Sequence, residues 1–318
     1  MNKYPFIFIF IVGVILTACG DDDTPTTTID QEVQLWLDSS GISASFDENT
    51  GIYYYPDSLN PGGSQVSNGR VAAIYYTLTD LDGNTIASHQ PSDGDSLLFK
   101  VGVSAVYPIG VDFGVSLMRV GEVYNFILPP SQAYLNLTSG AINSNLIAHL
   151  KIQLVAVHNE ADIFAQDTVD IRQYIDDNNL NNLSLNPTDS IVKYSTGIVY
   201  KRRSRGTGNI PSNGDTVVVD YTGRFLDDTG FASDGTFEWV FGSDEPRELL
   251  SGFEFGVSLM QTNERALIMI PSSEGYRESA LIIPAFITGD LIEDDIIPDY
   301  VSTIPPYSTL LFEVDRTD

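Results

Sequence analysis

The chain has 318 residues, with 43 Asp and Glu against 16 Lys and Arg, a formal net charge of −27 at pH 7 and 42% hydrophobic residues. Such acidity disfavours nucleic acid as a partner, because binding a polyanion requires clustered cations that displace its counterions; it suits solubility at a crowded surface instead. The length allows two domains with ordinary cores, and the single cysteine, Cys19, excludes an intramolecular disulfide, so stability must come from those cores.

Met1-Asn2-Lys3, the apolar run from Tyr4 to Leu16 and the ending Leu16-Thr17-Ala18-Cys19 resemble a bacterial lipoprotein signal peptide. On that reading residues 1–18 are removed and Cys19 carries the lipid. The apolar run is shorter than the roughly 20 residues a helix needs to cross a bilayer. A plain secretory leader with an incidental cysteine is the alternative. Asp21-Asp22-Asp23 and the run Thr24 to Thr28 make residues 19–29 an acidic, Thr-rich tether. The acidic triplet resembles the surface-export signal of Bacteroidota lipoproteins; a solvated spacer is the other reading. The expected location is therefore extracytoplasmic, with the lipid on Cys19 anchoring the protein in a bacterial membrane, the outer one on the export reading.

Two helices are expected outside the strand-rich regions. Asp30 can cap a helix carrying Val33, Leu35, Trp36 and Leu37 that ends at Ser39-Ser40-Gly41. A second runs from Asp167 to Leu180, with Val169, Ile171, Tyr174 and Ile175, and stops in the Asn-rich stretch Asn178 to Asn182. Both are amphipathic and are read as spacers between modules.

Around these helices the chain repeats itself. Phe-Gly-Val-Ser-Leu-Met stands at Phe113 to Met118 and again at Phe255 to Met260; Thr50-Gly51-Ile52 recurs as Thr196-Gly197-Ile198, Tyr76-Thr77 as Tyr221-Thr222, Ala87-Ser88 as Ala232-Ser233, and the Pro129 to Tyr134 spacing as Pro271 to Tyr276. The offsets of 142 to 146 residues are those of whole domains, beyond the about 20–50 residues of a solenoid unit.

In the second copy, Thr216 to Leu226 alternates Val217, Val219 and Tyr221 against Val218, Asp220 and Thr222, the pattern of an antiparallel strand with one buried face, and Asp227-Asp228-Thr229-Gly230 supplies a turn. Phe237 and Trp239 alternate in another strand, and Arg265 to Ile270 and Ser308 to Val314 give two more. Between them, Arg247 to Met260 places Leu249, Leu250, Phe253 and Val257 at helical spacing, just after Pro246. Antiparallel strands around one short helix predict an α+β domain.

The order Val219-Asp220-Tyr221-Thr222-Gly223, Gly230-Phe231, Phe237-Glu238-Trp239, Gly252-Phe253-Glu254-Phe255-Gly256-Val257, Ile270-Pro271-Ser272 with Tyr276, and Ile304-Pro305-Pro306-Tyr307-Ser308-Thr309-Leu310-Leu311-Phe312-Glu313-Val314 resembles the FKBP-type peptidyl-prolyl cis-trans isomerases, over about Gly206 to Arg316. The resemblance implies two FKBP-like domains, each a bent antiparallel sheet wrapped around a short helix. It also implies a pocket in the second copy, with Tyr221, Phe231, Phe237, Phe253, Tyr276 and Phe312 as the catalytic cage and Leu249, Leu250 and Ile304 as substrate-binding residues. The partners it implies are proline-containing polypeptides, the activity is isomerisation assisting the folding of exported or surface proteins, and no cofactor is called for. Taken singly, each of these aromatics reads as core rather than site, and it is their order and the adjoining glycines that point to a pocket.

Two departures bear on activity. Ala232 stands where the family usually has an Asp directly after the Phe matching Phe231, with Asp234 as a substitute candidate; and the 27 residues between Tyr276 and Ile304, Ile-rich and acidic, replace a loop that is usually much shorter. That stretch is read as a lid, a docking surface or unstructured padding. In the first copy Tyr76, Tyr134 and Gly110 remain, but Ile86, Leu97, Val111 and Ile152 replace Phe231, Phe237, Phe253 and Phe312, and no Ile-Pro-Pro motif precedes Ala148-His149-Leu150. This copy is expected to fold but to be weakly active or inert, serving peptide binding or spacing. His89, His149 and His158 have no ligand spacing, so no metal site is expected. The expected organisation is a leader (1–18), a tether (19–29), a degenerate domain with its N-terminal helix (30–159), a helical linker (160–205) and an isomerase domain (206–318). A catalytically weak peptide-binding or chaperone module, or a structural subunit of an envelope or surface complex, remain as alternative functions.

Overall fold

The computed structural model describes residues 26–135, 137–181, 191–243, 250–297 and 304–318. The chain forms two compact units, Met1–His158 with Ala280–Thr303, and Asn159–Ser279 with Ile304–Asp318. A segment that in sequence interrupts the second repeat is thus structurally part of the first unit.

In the first unit, antiparallel strands lie in the order Ser45–Asp47, Ile52–Ser58, Val123–Leu128, Ala148–His158, Val71–Thr79 and Thr85–His89, and Leu97–Lys100 also pairs with Val71–Thr79. Side chains alternate across this sheet with the period of two that a pleated strand imposes. Phe126 and Leu128 face the main core, together with Leu150, Ile152 and Leu154, while Ile127 faces the opposite side. The helix Thr26–Ser40 covers that opposite side, seating Val33 and Leu37 on Ile127 and Ile147. Leu35, on its outer face, is 70% exposed. On the core side lies the short helix Gly110–Ser116.

The second unit repeats this plan. Its antiparallel strands run Gly230–Val240, Thr216–Phe225, Leu310–Arg316, Arg265–Ile270, Val199–Ser204 and Ile191–Lys193. The last two come from the region read as a linker. Along Arg265–Ile270, Ala266, Ile268 and Ile270 point to the core and the helix Ser251–Val257, and Leu267 and Met269 point to the other face. There the helix Glu160–Asp177 lays down Ile171, Tyr174 and Ile175. The two helices expected as spacers are therefore the covers of the two sheets, because each sheet has apolar residues on both faces that must leave water.

The second cover helix begins at Glu160, about two turns before the expected start at Asp167. Asp167 instead pins the helix to the sheet end. Its buried carboxylate accepts from the backbone N–H of Ser272 (2.8 Å), the Ser272 hydroxyl (2.6 Å) and the Thr309 hydroxyl (3.1 Å). Burial raises its pKa above the ordinary carboxylate value against the pull of these three donors.

The repeated hexapeptide also acquires a physical reason. It overlaps a Gly-x-x-x-Gly pair in each short helix, Gly110/Gly114 and Gly252/Gly256. A Cβ at Gly252 would come within 2.5 Å of Ile270 Cγ2, and one at Gly256 within 2.5 Å of Ile268 Cδ1; at Gly110 and Gly114 it would meet Leu128 and Phe126 at 2.8 Å. The glycines let helix and sheet approach to a distance that any side chain would prevent.

His149, on the cover side of the first sheet, lies edge-on to Trp36 (centroids 5.2 Å apart) with its Nε2 3.1 Å from the Tyr55 hydroxyl. Burial, with a smaller contribution from Lys151 and against Asp57, holds its imidazole below the ordinary value of 6.5. The unfolded chain therefore binds the proton more readily than the folded one. The stability this neutral ring contributes is complete above pH 6.5 and is lost as pH falls below that value through the folded pKa. Melting of the first unit is expected to shift down as pH falls from about 6.5 to about 5, and His149→Gln is expected to flatten that part of the dependence; an unchanged slope in the variant would assign it to other groups.

Candidate active site

The second sheet and its helix bring five of the expected cage residues into direct ring contact. Tyr221 comes from Thr216–Phe225, Phe231 and Phe237 from the neighbouring Gly230–Val240, Phe312 from Leu310–Arg316 on the other side, and Phe253 from the helix beneath. The rings meet edge to face, as their quadrupoles favour: Phe253 and Phe312 at 4.9 Å and 68°, Phe231 and Phe312 at 5.5 Å and 84°, Tyr221 and Phe237 at 6.4 Å and 83°. Tyr221 also lies 5.6 Å from Phe253 and 6.0 Å from Phe312, so it stands at the centre of the set. Phe253, Phe312 and Ile304 are buried, while Tyr221, Phe231, Phe237, Leu250 and Tyr276 are only partly so and belong to the same apolar cluster. The floor is sealed and the walls remain in contact with solvent. Leu249 and Cys19 lie outside the described residues.

Gly223 makes this geometry feasible. It pairs with Phe312 on one side and Ala232 on the other, and a Cβ here would fall 2.5 Å from Phe231 Cε2 and 3.1 Å from Phe312 Cε1. The sequence alone assigns this glycine no role, although it follows Tyr221 by two residues and so shares its face. The same alternation would have found Trp239, two residues after Phe237: its buried indole stacks on Phe237 at 5.2 Å and lies 6.2 Å from Phe253. Phe225, 5.0 Å from Phe231, extends the wall.

Charge is kept off this face. Asp220, one residue from Tyr221, points to the opposite side of the strand, where it accepts from the Thr236 hydroxyl at 2.7 Å. Ala232 is half-buried opposite Gly223 and brings no carboxylate. Among the described residues no group of three or more His, Cys, Asp or Glu side chains could hold a metal ion.

An apolar aromatic cage suits one kind of chemistry in particular. Rotation about an amide must overcome a barrier of about 18–20 kcal/mol that arises from resonance, and no bond to a nucleophile or proton is required. A planar amide is well solvated by water, whereas the twisted amide has lost much of its dipole, so a dry ring-lined site favours the twisted form.

The first unit holds the corresponding positions in one core cluster: Tyr76, Val111, Tyr134 and Ile152 buried, Ile86 and Leu97 partly so. Tyr107 joins them, its ring 5.9 Å from that of Tyr134. Burial pushes the Tyr76 and Tyr107 hydroxyls up to about 12 and raises that of Tyr134 well above its ordinary range. These tyrosines sit in a filled interior.

The sequence model described as FKBP-type peptidyl-prolyl cis-trans isomerase matches residues 62–155 and 208–315, one match in each repeat and together more than half of the chain. The chain belongs to the FKBP family. It contains two FKBP domains. Among curated FKBP relatives, a probable FKBP-type peptidyl-prolyl cis-trans isomerase, FkpA, of Neisseria meningitidis is 31% identical over 94 residues, covering 28% of this chain and 33% of that protein. FK506-binding protein 4 of Dictyostelium discoideum is 26% identical over 129 residues, covering 41% of this chain and 30% of that protein. The chain thus spans about a third of the length of these relatives. Of solved FKBP structures, FkpA from Escherichia coli aligns at a TM-score of 0.33 with 20% identity, covering 50% of this chain and 63% of that one. The three FKBP domains of wheat FKBP73 align at 0.31 with 18% identity, covering 87% and 98%.

Proposed function

We propose that this protein is a peptidyl-prolyl cis-trans isomerase whose activity resides in the second FKBP domain and whose substrates are proline-containing segments of exported or surface proteins. The observation that carries the reading is the ring cage of Tyr221, Phe231, Phe237, Phe253 and Phe312, sealed below and half-open above. In the first domain four of these positions are aliphatic, which removes the rings that would favour a twisted amide. The leader and Cys19 support an extracytoplasmic, lipid-anchored location. The acidic triplet after Cys19 supports exposure at the cell surface.

Ala232 supports a second reading, in which the pocket binds prolyl segments as a chaperone but turns them over slowly. A protease-coupled isomerisation assay on the chain from Gly20, with an apolar residue before proline in the test peptide, separates the two. Catalysis above the uncatalysed rate supports the isomerase; saturable binding of the same peptide without catalysis supports the chaperone, and neither binding nor catalysis contradicts both.

A further inference from the structure

We infer that the first FKBP pocket is a peptide-binding site occupied by the chain's own segment from Ala280 to Ile297, seated as an internal mimic of a prolyl peptide. This does not depend on whether the second domain is catalytic.

The segment is bound by main chain first. Leu281 and Ile282 pair in parallel register with Val106 and Tyr107, and the amides of Leu281 and Ile283 donate to the carbonyl oxygens of Ala105 (2.9 Å) and Tyr107 (2.8 Å). This is strand addition, the mode in which an extended peptide gains affinity from backbone hydrogen bonds and specificity from its side chains.

The side chains then enter the core. Ile283, Ile287 and Leu291 are fully buried in the same cluster as Tyr76, Val111 and Ile152. The decisive contact is polar. Tyr134, the counterpart of Tyr276, donates its hydroxyl to the carbonyl of Ile283 at 2.9 Å in a buried setting. Ile283 is followed by Pro284, so the acceptor is the carbonyl of a residue directly preceding proline. At the far end the Ser139 hydroxyl donates to the Asp290 carboxylate.

The aliphatic substitutions in the first pocket then have a use. An Ile-rich occupant is better matched by Ile86, Leu97, Val111 and Ile152 than by four phenylalanines, whose volume would compete for the space the segment fills. The ligand class is a peptide with a β-branched apolar residue before proline. External peptides of that class are excluded while the segment is in place.

Hydrogen exchange followed by mass spectrometry on the intact chain tests this without any activity readout. The amides of Leu281 and Ile283 are expected to exchange at least about a hundredfold more slowly than an open loop, in step with the strands of the first unit. Exchange at loop rates would overturn the proposal outright. Ile283→Asp places a charge in the apolar site and is expected to release the segment, accelerating exchange over 280–293 and at Val106 and Tyr107 while the strands of the second unit are unchanged. A synthetic peptide of residues 279–293 should then bind this variant and restore protection at Val106 and Tyr107, and should not bind the unaltered chain. If Ile283→Asp unfolds the first unit, Tyr134→Phe serves instead: removing one hydrogen bond is expected to speed exchange at Ile283 by about three- to tenfold, the range of a net contribution near 1 kcal/mol. Unchanged exchange in Tyr134→Phe, or equal binding of the peptide to the altered and unaltered chains, would contradict the assignment.

Discussion

Giving the second domain the first domain's side chains, Phe231→Ile, Phe237→Leu and Phe253→Val together, is expected to lower kcat/KM for an apolar-Pro peptide by at least about a hundredfold, or ~2.7 kcal/mol of lost transition-state stabilisation. The rings contribute through edge-to-face pairs worth about 0.5–1.5 kcal/mol each beyond their area. The triple change deletes the Phe231–Phe312, Tyr221–Phe237 and Phe253–Phe312 pairs at once. Part of the effect is structural, since Phe253 is buried and its truncation leaves a cavity. Phe237→Leu alone separates the two contributions, because Phe237 is only partly buried: it is expected to lower kcat/KM about tenfold with little change in melting. Leu97→Ala, the matching truncation in the first domain, is expected to leave turnover unaltered. A triple variant with full activity would remove the cage from the account.

The largest expected effect on stability lies away from the cage. Glu264 is 0% exposed and accepts from Arg202 Nε at 2.7 Å, from the Tyr200 hydroxyl and from the backbone N–H of Gln261 at 3.3 Å. Glu264→Ala leaves a half-buried guanidinium and a buried phenol without their shared acceptor, and is expected to destabilise the second unit by about 3–5 kcal/mol, the usual result of removing one partner from a buried ion pair. Desolvation makes the net worth of the intact pair much smaller than that loss. Glu264→Gln keeps an acceptor and should cost less. Urea unfolding followed by Trp239 fluorescence reads the second unit; a loss below about 1 kcal/mol in Glu264→Ala would show that Arg202 and Tyr200 find other partners. The first unit places Glu122 comparably, accepting from the N–H groups of Asn60 (3.1 Å) and Arg119 (2.7 Å).

Much of this was legible in the sequence because it is local. Alternation in Thr216–Phe225 placed a strand and its buried face, and the ordered aromatics named rings that the fold brings into contact. What escaped has a long-range cause. The cover helices carry apolar stripes, but which surface those stripes meet depends on a sheet having two apolar faces, visible only once the strands are paired. Nothing local marks Asp167 as a buried acceptor, because its donors Ser272 and Thr309 lie far along the chain. A lone Glu264 carries no periodicity that would mark it as buried. The Ile-rich stretch after Ala280 reads as lid, docking surface or padding with equal ease, because its strand partners Val106 and Tyr107 lie in the other repeat.

The chain's two tryptophans give the most direct test of where prolyl substrates bind. Trp239 borders the second cage, while Trp36 lies on the cover helix of the first unit, donating its indole N–H to Leu81 O at 2.7 Å. Proton–nitrogen NMR of the intact, labelled chain during titration with an apolar-Pro peptide should move the Trp239 indole signal progressively, with the same midpoint as catalysis, and leave the Trp36 signal in place. A Trp239 signal that stays fixed while catalysis saturates would contradict the assignment of activity to the second domain.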